Sequence, residues 1–599
     1  MNTSERLSAL RELMDRERLA AFIFPSTDAH NGEYTPDHWK GREWISCFNG
    51  SAGTAVVTMH SAALWTDSRY FLAAEEQLRG TEFQLMKLKL PGTPTIAQWL
   101  GREIRNGSTE VGVDGMCFSV NAAEDMIKEL RSEGGLTLRT NFDPLEKIWT
   151  DRPPIPEEKI EIQPLELAGE TVDSKLDRIR VALRQRHADG MLVSALDDIA
   201  WTLNLRGSDV HCNPVFVSYL LIGSKDATLF VNNKKITPEV ARYLSDNNIK
   251  VDEYDNIKKG IDDYFEYNIL MDPDETSYAL YQVAKKHKTS NLEIVRESSP
   301  IAVMKTVKNN AEIAGFKSAM LKDGIAMTKF LKWLKPAVEA GGQTEMSLDE
   351  KLTSLRAEQP LFRGISFDTI CGYQAHGAIV HYEATKETDI PVKPEGLVLI
   401  DSGAQYQDGT TDITRTISLG PVTEEQRHVY TLVLKGHIQL AMVKFPDGAS
   451  GTQMDILARK DMWREGMNYL HGTGHGVGSY LCVHEGPHQF RMEWKPAPFV
   501  EGMTVTDEPG IYLAGRFGVR TENTMLVTPY METEFGKFLQ LEPLTLCPID
   551  TEPIDVSMLT DEEIEWLNSY HKMVEEKIAP HLDDEEKAWL HEACSEIMR

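Results

Sequence analysis

Two stretches in the first half of the chain carry the same alternation of apolar and polar positions. From Arg6, RLSALRELMDRERLAAFIF sets Leu7, Leu10 and Met14 at helical spacing and then runs into apolar Phe22–Phe24. From Lys175, KLDRIRVALRQRHADGMLV sets Leu176, Ile179 and Leu183 the same way and runs into Met191–Val193. Each predicts an amphipathic helix followed by a buried strand. Both continue into paired runs of β-branched and apolar residues, TAVVTMHSAALWTDSRYF and PVFVSYLLIGSKDATLFV, so two related α/β domains are expected. Between them DRPPIPEEKIEIQPLEL holds Pro153, Pro154, Pro156 and Pro164, a density that forbids helix and predicts a linker. A second boundary is expected near Ser299–Pro300. After it, apolar Ile313, Phe316, Met320, Met327, Leu331 and Leu334 predict a long helix ended by Pro336. The stretch from about Thr551 is acidic with a helical pattern. It is expected to cover the third domain as a solvated helix; the alternative is a subunit contact through Trp566, Leu567 and Tyr570.

Size and charge narrow the class. The 599 residues suffice for two to four domains, and 41% hydrophobic with 26% charged residues is a soluble globular composition. A net charge of −29 repels nucleic acid and anionic membrane, so neither is expected as a partner. The charged amphipathic start is not a secretory signal, and no apolar run is long enough to span a membrane. Seven scattered cysteines without a CxxC pair suggest neither a structural zinc site nor a disulfide framework. Together these features place the expectation in the cytoplasm.

The candidate chemistry lies in the third part. Asp401 ends the apolar run Leu397–Ile400, and Asp412 lies in TTDITRTISL, with a turn expected at Tyr406–Gly409 between them. Neighbouring strands would bring both acids together; the bland alternative is a pair of turn aspartates. His475 sits in HGTGHGVG, where glycines would let the backbone pass close to an ion or substrate. Glu508 lies in TDEPG and Glu522 in VRTEN, with Arg520 two positions earlier. Arg520 could hold a ligand carboxylate from the same strand face, or form an ordinary surface ion pair. Four carboxylates and one imidazole suit two divalent cations, which cancel the repulsion and activate water. Rival motifs fail. No GxxxxGK[ST] follows the glycine loop, no GxSxG elbow occurs, and nothing suggests a lowered thiol pKa at Cys371. The run from His484 to His488 has HExxH spacing, but Gly486-Pro487 would break the helix that motif requires.

The segments LIDSGAQYQDGTTDIT, HGTGHGVG, HEGPH, EPGIY and RTEN resemble the pita-bread metallopeptidases, which include methionine aminopeptidase, prolidase, creatinase and aminopeptidase P. The preceding parts resemble the long, three-domain, cytosolic aminopeptidase P type. The implied fold is α/β (α+β): creatinase-like α/β domains over 1–150 and 151–302, then a pita-bread catalytic domain over 303–599. That last domain would have a curved antiparallel sheet flanked by helices and a C-terminal extension from about 538. The implied metal ligands are Asp401, Asp412, His475, Glu508 and Glu522, binding two Mn²⁺ ions (Zn or Co fit the same donors), with Asp412 and Glu522 bridging. The resemblance also implies that His381, His471 and His484 act at the substrate site and that Glu508 moves protons. Arg69 of WTDSRYF would lie near the substrate with His381, His475 and His484. The implied activity is hydrolysis of the N-terminal Xaa-Pro bond of peptides by a metal-activated water, in a homodimer. A prolidase-type dipeptidase and an inactive peptide-binding relative stay as alternatives.

Overall fold

A computed structural model describes residues 1–105, 107–287 and 292–599. The chain divides into two compact units, one of residues 1–164 with 170–302, the other of 165–169 with 303–599.

The first unit contains the anticipated repeat. The helices Thr3–Glu17 and Val172–Gln185 bury Leu7, Leu10 and Met14, and Leu176, Ile179 and Leu183. The strands that follow, Ala21–Phe24 and Gly190–Val193, are wholly buried. Each strand sits inside a six-stranded sheet of the same order. On one side it pairs antiparallel with Thr54–Thr58 or Ser218–Ile222, which pair antiparallel with Ala62–Thr66 or Ala227–Val231. On its other side it pairs parallel with Glu110–Val113 or Asn268–Met271. Identical order and direction in two sheets built from matching sequence patterns identify two copies of one architecture. His30 joins the copies. Its Nδ1 donates to the Ser194 carbonyl at 2.9 Å, and its Nε2 accepts from the Tyr254 hydroxyl at 2.9 Å.

The proline-rich segment is not wholly irregular. Glu161–Ile162 pairs with Leu205–Arg206, and Leu165–Ala168 forms a short helix just after Pro164. Proline excludes helix at and before its own position but not beyond it.

In the second unit every strand pairing is antiparallel among the described residues. The helix Asn310–Ala340 begins with a reciprocal cap, in which the Asn309 side chain accepts from the Glu312 N–H and the Glu312 carboxylate accepts from the Asn309 N–H. It does not end at Pro336; that residue lies inside it. Val338, one turn beyond Leu334, is buried in the same apolar cluster, and tertiary packing outweighs the missing N–H. A Cβ on Gly315 of this helix would lie 2.2 Å from the Asp408 carbonyl oxygen, so helix and turn meet backbone to backbone. Lys322 fixes the contact with bonds of 2.6 and 2.8 Å to the Asp408 carboxylate. The helices Asp561–Ile578 and Asp584–Ala593 cover this unit. Leu567 and Tyr570 are buried among Val429, Tyr430 and Leu434, and Trp566 stacks on Tyr570. Thus the residues considered for a subunit contact face the core instead.

Candidate metal centre

Strand pairing brings distant parts of the chain together. Leu397–Ser402 pairs antiparallel with Ile413–Ser418, placing Asp401 opposite Thr414, and Asp412 immediately precedes the second strand. The intervening chain forms the small hairpin Ala404–Tyr406 and Gly409–Thr410. Thr504–Asp507 pairs with Asn523–Thr533, with Asp507 opposite Asn523. Glu508 and Glu522 are the next residues out and therefore leave two neighbouring strands at the same level. His475 lies on the short strand Gly474–Gly476, not in a loop. A Cβ on Gly474 would sit 1.8 Å from the Thr506 carbonyl oxygen, and one on Gly476 would sit 2.5 Å from the His488 ring. These glycines admit neighbouring protein rather than an ion. They press the strand onto Thr504–Asp507, where the His475 N–H donates to Thr506 Oγ1 at 3.1 Å.

The five side chains converge as two overlapping groups. Asp412, His475 and Glu522 offer atoms within 4.8 Å of one another, and so do Asp401, Glu508 and Glu522. Glu522 belongs to both. His475 Nε2 stands 3.4 Å from Asp412 and 3.3 Å from Glu508. Its Nδ1 donates to the Gly476 carbonyl at 2.8 Å, which aims Nε2 at the carboxylates. HExxH geometry is absent, as the Gly-Pro pair requires: Glu485–Phe490 is a strand, and His488 donates to the Thr504 carbonyl.

Charge decides what the site can hold. Asp401, Asp412 and Glu522 are buried, and Asp401 Oδ1 and Glu522 Oε1 have no hydrogen-bond partner among the described residues. Burial first, then repulsion from Asp412, Glu508 and Asp401, pushes the Glu522 carboxyl well above its ordinary range. Burial also lifts Asp401 to about 7, against the pull of Arg520 and with added repulsion from Asp412 and Glu508. Burial alone would lower His475, but its hydrogen bonds to Asp412 and Glu508 push it well up. At Glu508 burial raises the carboxyl, but the hydrogen bond and charge of His475, with His471 and Arg520, outweigh it and hold it at about 2. Two divalent cations fit this donor set, since they supply the charge and engage the orphaned oxygens.

Arg520 is buried, donating to Asp401 Oδ2 from Nη2 at 2.7 Å and from Nε at 3.1 Å. It is no surface ion pair. It also donates to the Tyr512 hydroxyl at 2.8 Å. Since arginine only donates, that hydroxyl turns its proton toward His471 Nε2, 2.8 Å away. His471 Nδ1 in turn donates to the Gly472 carbonyl at 2.7 Å, so both ring nitrogens have protein partners. Burial holds this ring down at about 4. The His484 ring meets His475 edge to face at 4.4 Å. His381 is half-buried, and the preceding Val380 carbonyl accepts from Arg520 Nη2 at 3.3 Å. Arg69 belongs to the first unit, where its Nε and Nη2 each donate to Asp67 at 2.9 Å. Burial, then Glu345, pushes the Cys371 thiol well up, the reverse of a thiolate nucleophile.

Three supporting residues were given no role from the sequence, although Thr414 and Tyr512 end the quoted segments LIDSGAQYQDGTTDIT and EPGIY. Thr414 donates to Glu522 Oε2 at 2.8 Å. Tyr512 links Arg520 to His471. Arg415, 2% exposed, donates to the carbonyls of Glu522, Cys547 and Pro548 at 2.7, 2.8 and 2.9 Å. The available signal was a charged residue in the middle of the apolar strand ITRTISL.

Comparison with known proteins identifies relatives along the whole chain. Residues 314–529 match metallopeptidase family M24, and 537–597 match the C-terminal region of peptidase M24. Residues 6–142 and 151–312 each match a creatinase/prolidase N-terminal domain. The chain is 37% identical to Aminopeptidase P1 of Arabidopsis thaliana, across 99% of each protein. It is 39% identical to Xaa-Pro aminopeptidase 1 of Dictyostelium discoideum, across 97% of this chain and 94% of that one. Among solved structures, X-prolyl aminopeptidase from Caenorhabditis elegans, described as a cytosolic enzyme with a di-nuclear active site, aligns over 100% of both chains. Its identity is 34% and its TM-score 0.94. The fold is mixed α/β, with creatinase-like N-terminal domains ahead of a pita-bread domain with a curved antiparallel sheet. With end-to-end identity above a third and the donor set in place, the chain belongs to metallopeptidase family M24, in its aminopeptidase P group.

Proposed function

We propose that this protein is a metalloaminopeptidase that hydrolyses the bond between an N-terminal residue and a following proline. The observation that carries the reading is the convergence of five donors on two groups sharing Glu522, in a chain similar throughout to Xaa-Pro aminopeptidases. In this reading the chain divides into 1–150, 151–302 and 303–599. Asp401, Asp412, His475, Glu508 and Glu522 would hold two divalent cations, with Asp412 and Glu522 proposed as the ligands they share. Manganese is the proposed ion; zinc and cobalt accept the same oxygen and nitrogen donors. When bound, the cations polarise the scissile carbonyl and lower the pKa of a water molecule.

The chain's own residues supply the rest. Glu508, hydrogen-bonded by Thr506 Oγ1 at 3.2 Å, accepts the water's proton and passes it to the leaving nitrogen. That nitrogen is proline's, tertiary in the substrate, so it departs only when protonated. His381 or His484 donates to the oxygen that gains charge in the transition state. Arg520 holds Asp401 oriented, and Asp401 lies close to the substrate's free amine, which restricts cutting to the N-terminus. A cytoplasmic homodimer is part of the proposal. The described helices include none long and apolar enough to cross a membrane.

The test compares Xaa-Pro-Yaa, Xaa-Pro and Xaa-Ala-Yaa peptides on protein stripped by chelator and then reloaded with Mn²⁺. The reading expects release of Xaa from the first, little from the others, and dependence on the returned metal. Cleavage confined to the dipeptide would make the enzyme a prolidase. Full activity in metal-free protein would end the reading. His484→Ala is expected to keep both metals and lower kcat; an unchanged kcat removes His484 from the mechanism.

A further inference from the structure

We propose that Glu345 is the positioning residue for His381. The inference rests on the substrate role given to His381 above. Glu345 is fully buried and opens the helix Glu345–Ala357, where the helix dipole favours a negative side chain. Three donors converge on its carboxylate. The Tyr373 N–H reaches Oε1 at 2.8 Å, His376 Nδ1 stands at 2.9 and 3.0 Å from the two oxygens, and the Tyr382 hydroxyl reaches Oε2 at 2.8 Å. The rings of His376 and Tyr382 lie against each other with centroids 4.4 Å apart.

These donors hold the segment that carries His381 from one side. Arg520 holds it from the other. Its Nη2 donates to the Val380 carbonyl at 3.3 Å while the same nitrogen grips Asp401 at 2.7 Å. His381 therefore sits between two adjacent anchors, one at 380 and one at 382. The turn before it is fixed as well, since a Cβ on Gly518 would lie 1.8 Å from the Gly377 carbonyl oxygen. A one-residue span held on both sides limits how far the backbone of His381 can move relative to Asp401. Glu345 is fully buried and acts through Tyr382 and His376 on the placement of His381.

Tyr382→Phe and Glu345→Gln are made alone and in the His381→Ala background, on Mn²⁺-loaded full-length protein with an Xaa-Pro-Yaa tripeptide. Tyr382→Phe keeps the ring against His376 and removes the hydroxyl that reaches Glu345 at 2.8 Å and the Thr388 carbonyl at 3.2 Å, while Glu345 itself stays, so it covers the case in which Glu345→Gln fails to fold. Each single variant is expected to lower kcat roughly tenfold, the scale of a misplaced catalytic group, with KM and metal content unchanged. In the His381→Ala background the same changes are expected to cost nothing further, because coupled residues are not additive. Losses that multiply with His381→Ala would overturn the proposal, as would a lowered thermal midpoint with kcat intact. If His381→Ala alone keeps full kcat, the substrate role of His381 falls and the positioning role falls with it, an outcome distinct from impaired His381→Ala with additive partners.

Discussion

Glu522 is where the competing demands on the site meet. It is 1% exposed, faces carboxylates of both groups, and has one oxygen satisfied by Thr414 and the other by nothing. In metal-free protein its charge opposes folding, and under the proposed reading it holds cations in loaded protein. Replacing it with glutamine therefore has opposite effects on the two forms. Glu522→Gln is expected to lower turnover by more than the roughly 100-fold that loss of an outer metal partner costs, with less metal retained. The chelated variant is expected to unfold at a higher temperature than chelated wild type, because one of four repelling carboxylates is gone. The rise is about 2–4 °C for each ~1 kcal/mol of relieved repulsion. Metal analysis and thermal unfolding in chelator check both signs, and a lower midpoint for the chelated variant would contradict the repulsion argument. The acids and the histidine were legible because residue type and order carry their chemistry. Arg415, Thr414 and Tyr512 were not, since a side chain that serves backbone carbonyls or another side chain leaves no spacing to read.

At the scale of elements, packing decided what local pattern left open. The glycines around His475 read as a loop near a ligand, yet they permit a short strand to press against Thr504–Asp507. The helix that Pro336 was expected to end runs on to Ala340, because Val338 is buried beyond it. By contrast, the repeated helix-and-strand pattern of the first unit was readable residue by residue, since its buried stripe follows the helical period directly. The strand around His475 supplies a prediction. Gly474→Ala forces a Cβ to within 1.8 Å of the Thr506 carbonyl oxygen, and neither backbone can yield without moving His475 or Glu508. Overpacking of this kind costs about 1–3 kcal/mol. Urea unfolding of the loaded protein should show that loss, together with weaker retention of metal. Wild-type stability with wild-type metal content would mean that the strands are not held in this contact.

For the whole molecule, the two units answer to different solution conditions. Under the proposed reading the second needs cations for its buried carboxylates; the first needs a neutral histidine where its two sheets join. His30 is buried, with Ser194 and Tyr254 on its two nitrogens, and burial holds its pKa at about 3 against an ordinary 6.5. Its contribution to stability is complete above about pH 6.5 and drains away as pH falls toward 3, because the unfolded chain binds the proton first. Asp28 opposes it. Burial raises that carboxyl from 3.8 to about 6, so its penalty is relieved on acidification over the same range. His30 is displaced further from its ordinary value than Asp28, so the joint loses stability toward acid. Lys235 strengthens this sense by repelling a charged His30. In His30→Gln the proton-binding group is absent while a hydrogen-bonding side chain remains. The stability advantage of wild type over His30→Gln is therefore expected to be larger at about pH 7 than at about pH 5. The comparison is made on metal-stripped protein, so that the cation site contributes equally to both proteins. Denaturant unfolding of the two at each pH reads the difference directly. An advantage that stays constant between the two pH values would show that His30 is not held neutral, and the joint between the sheets would then need another account.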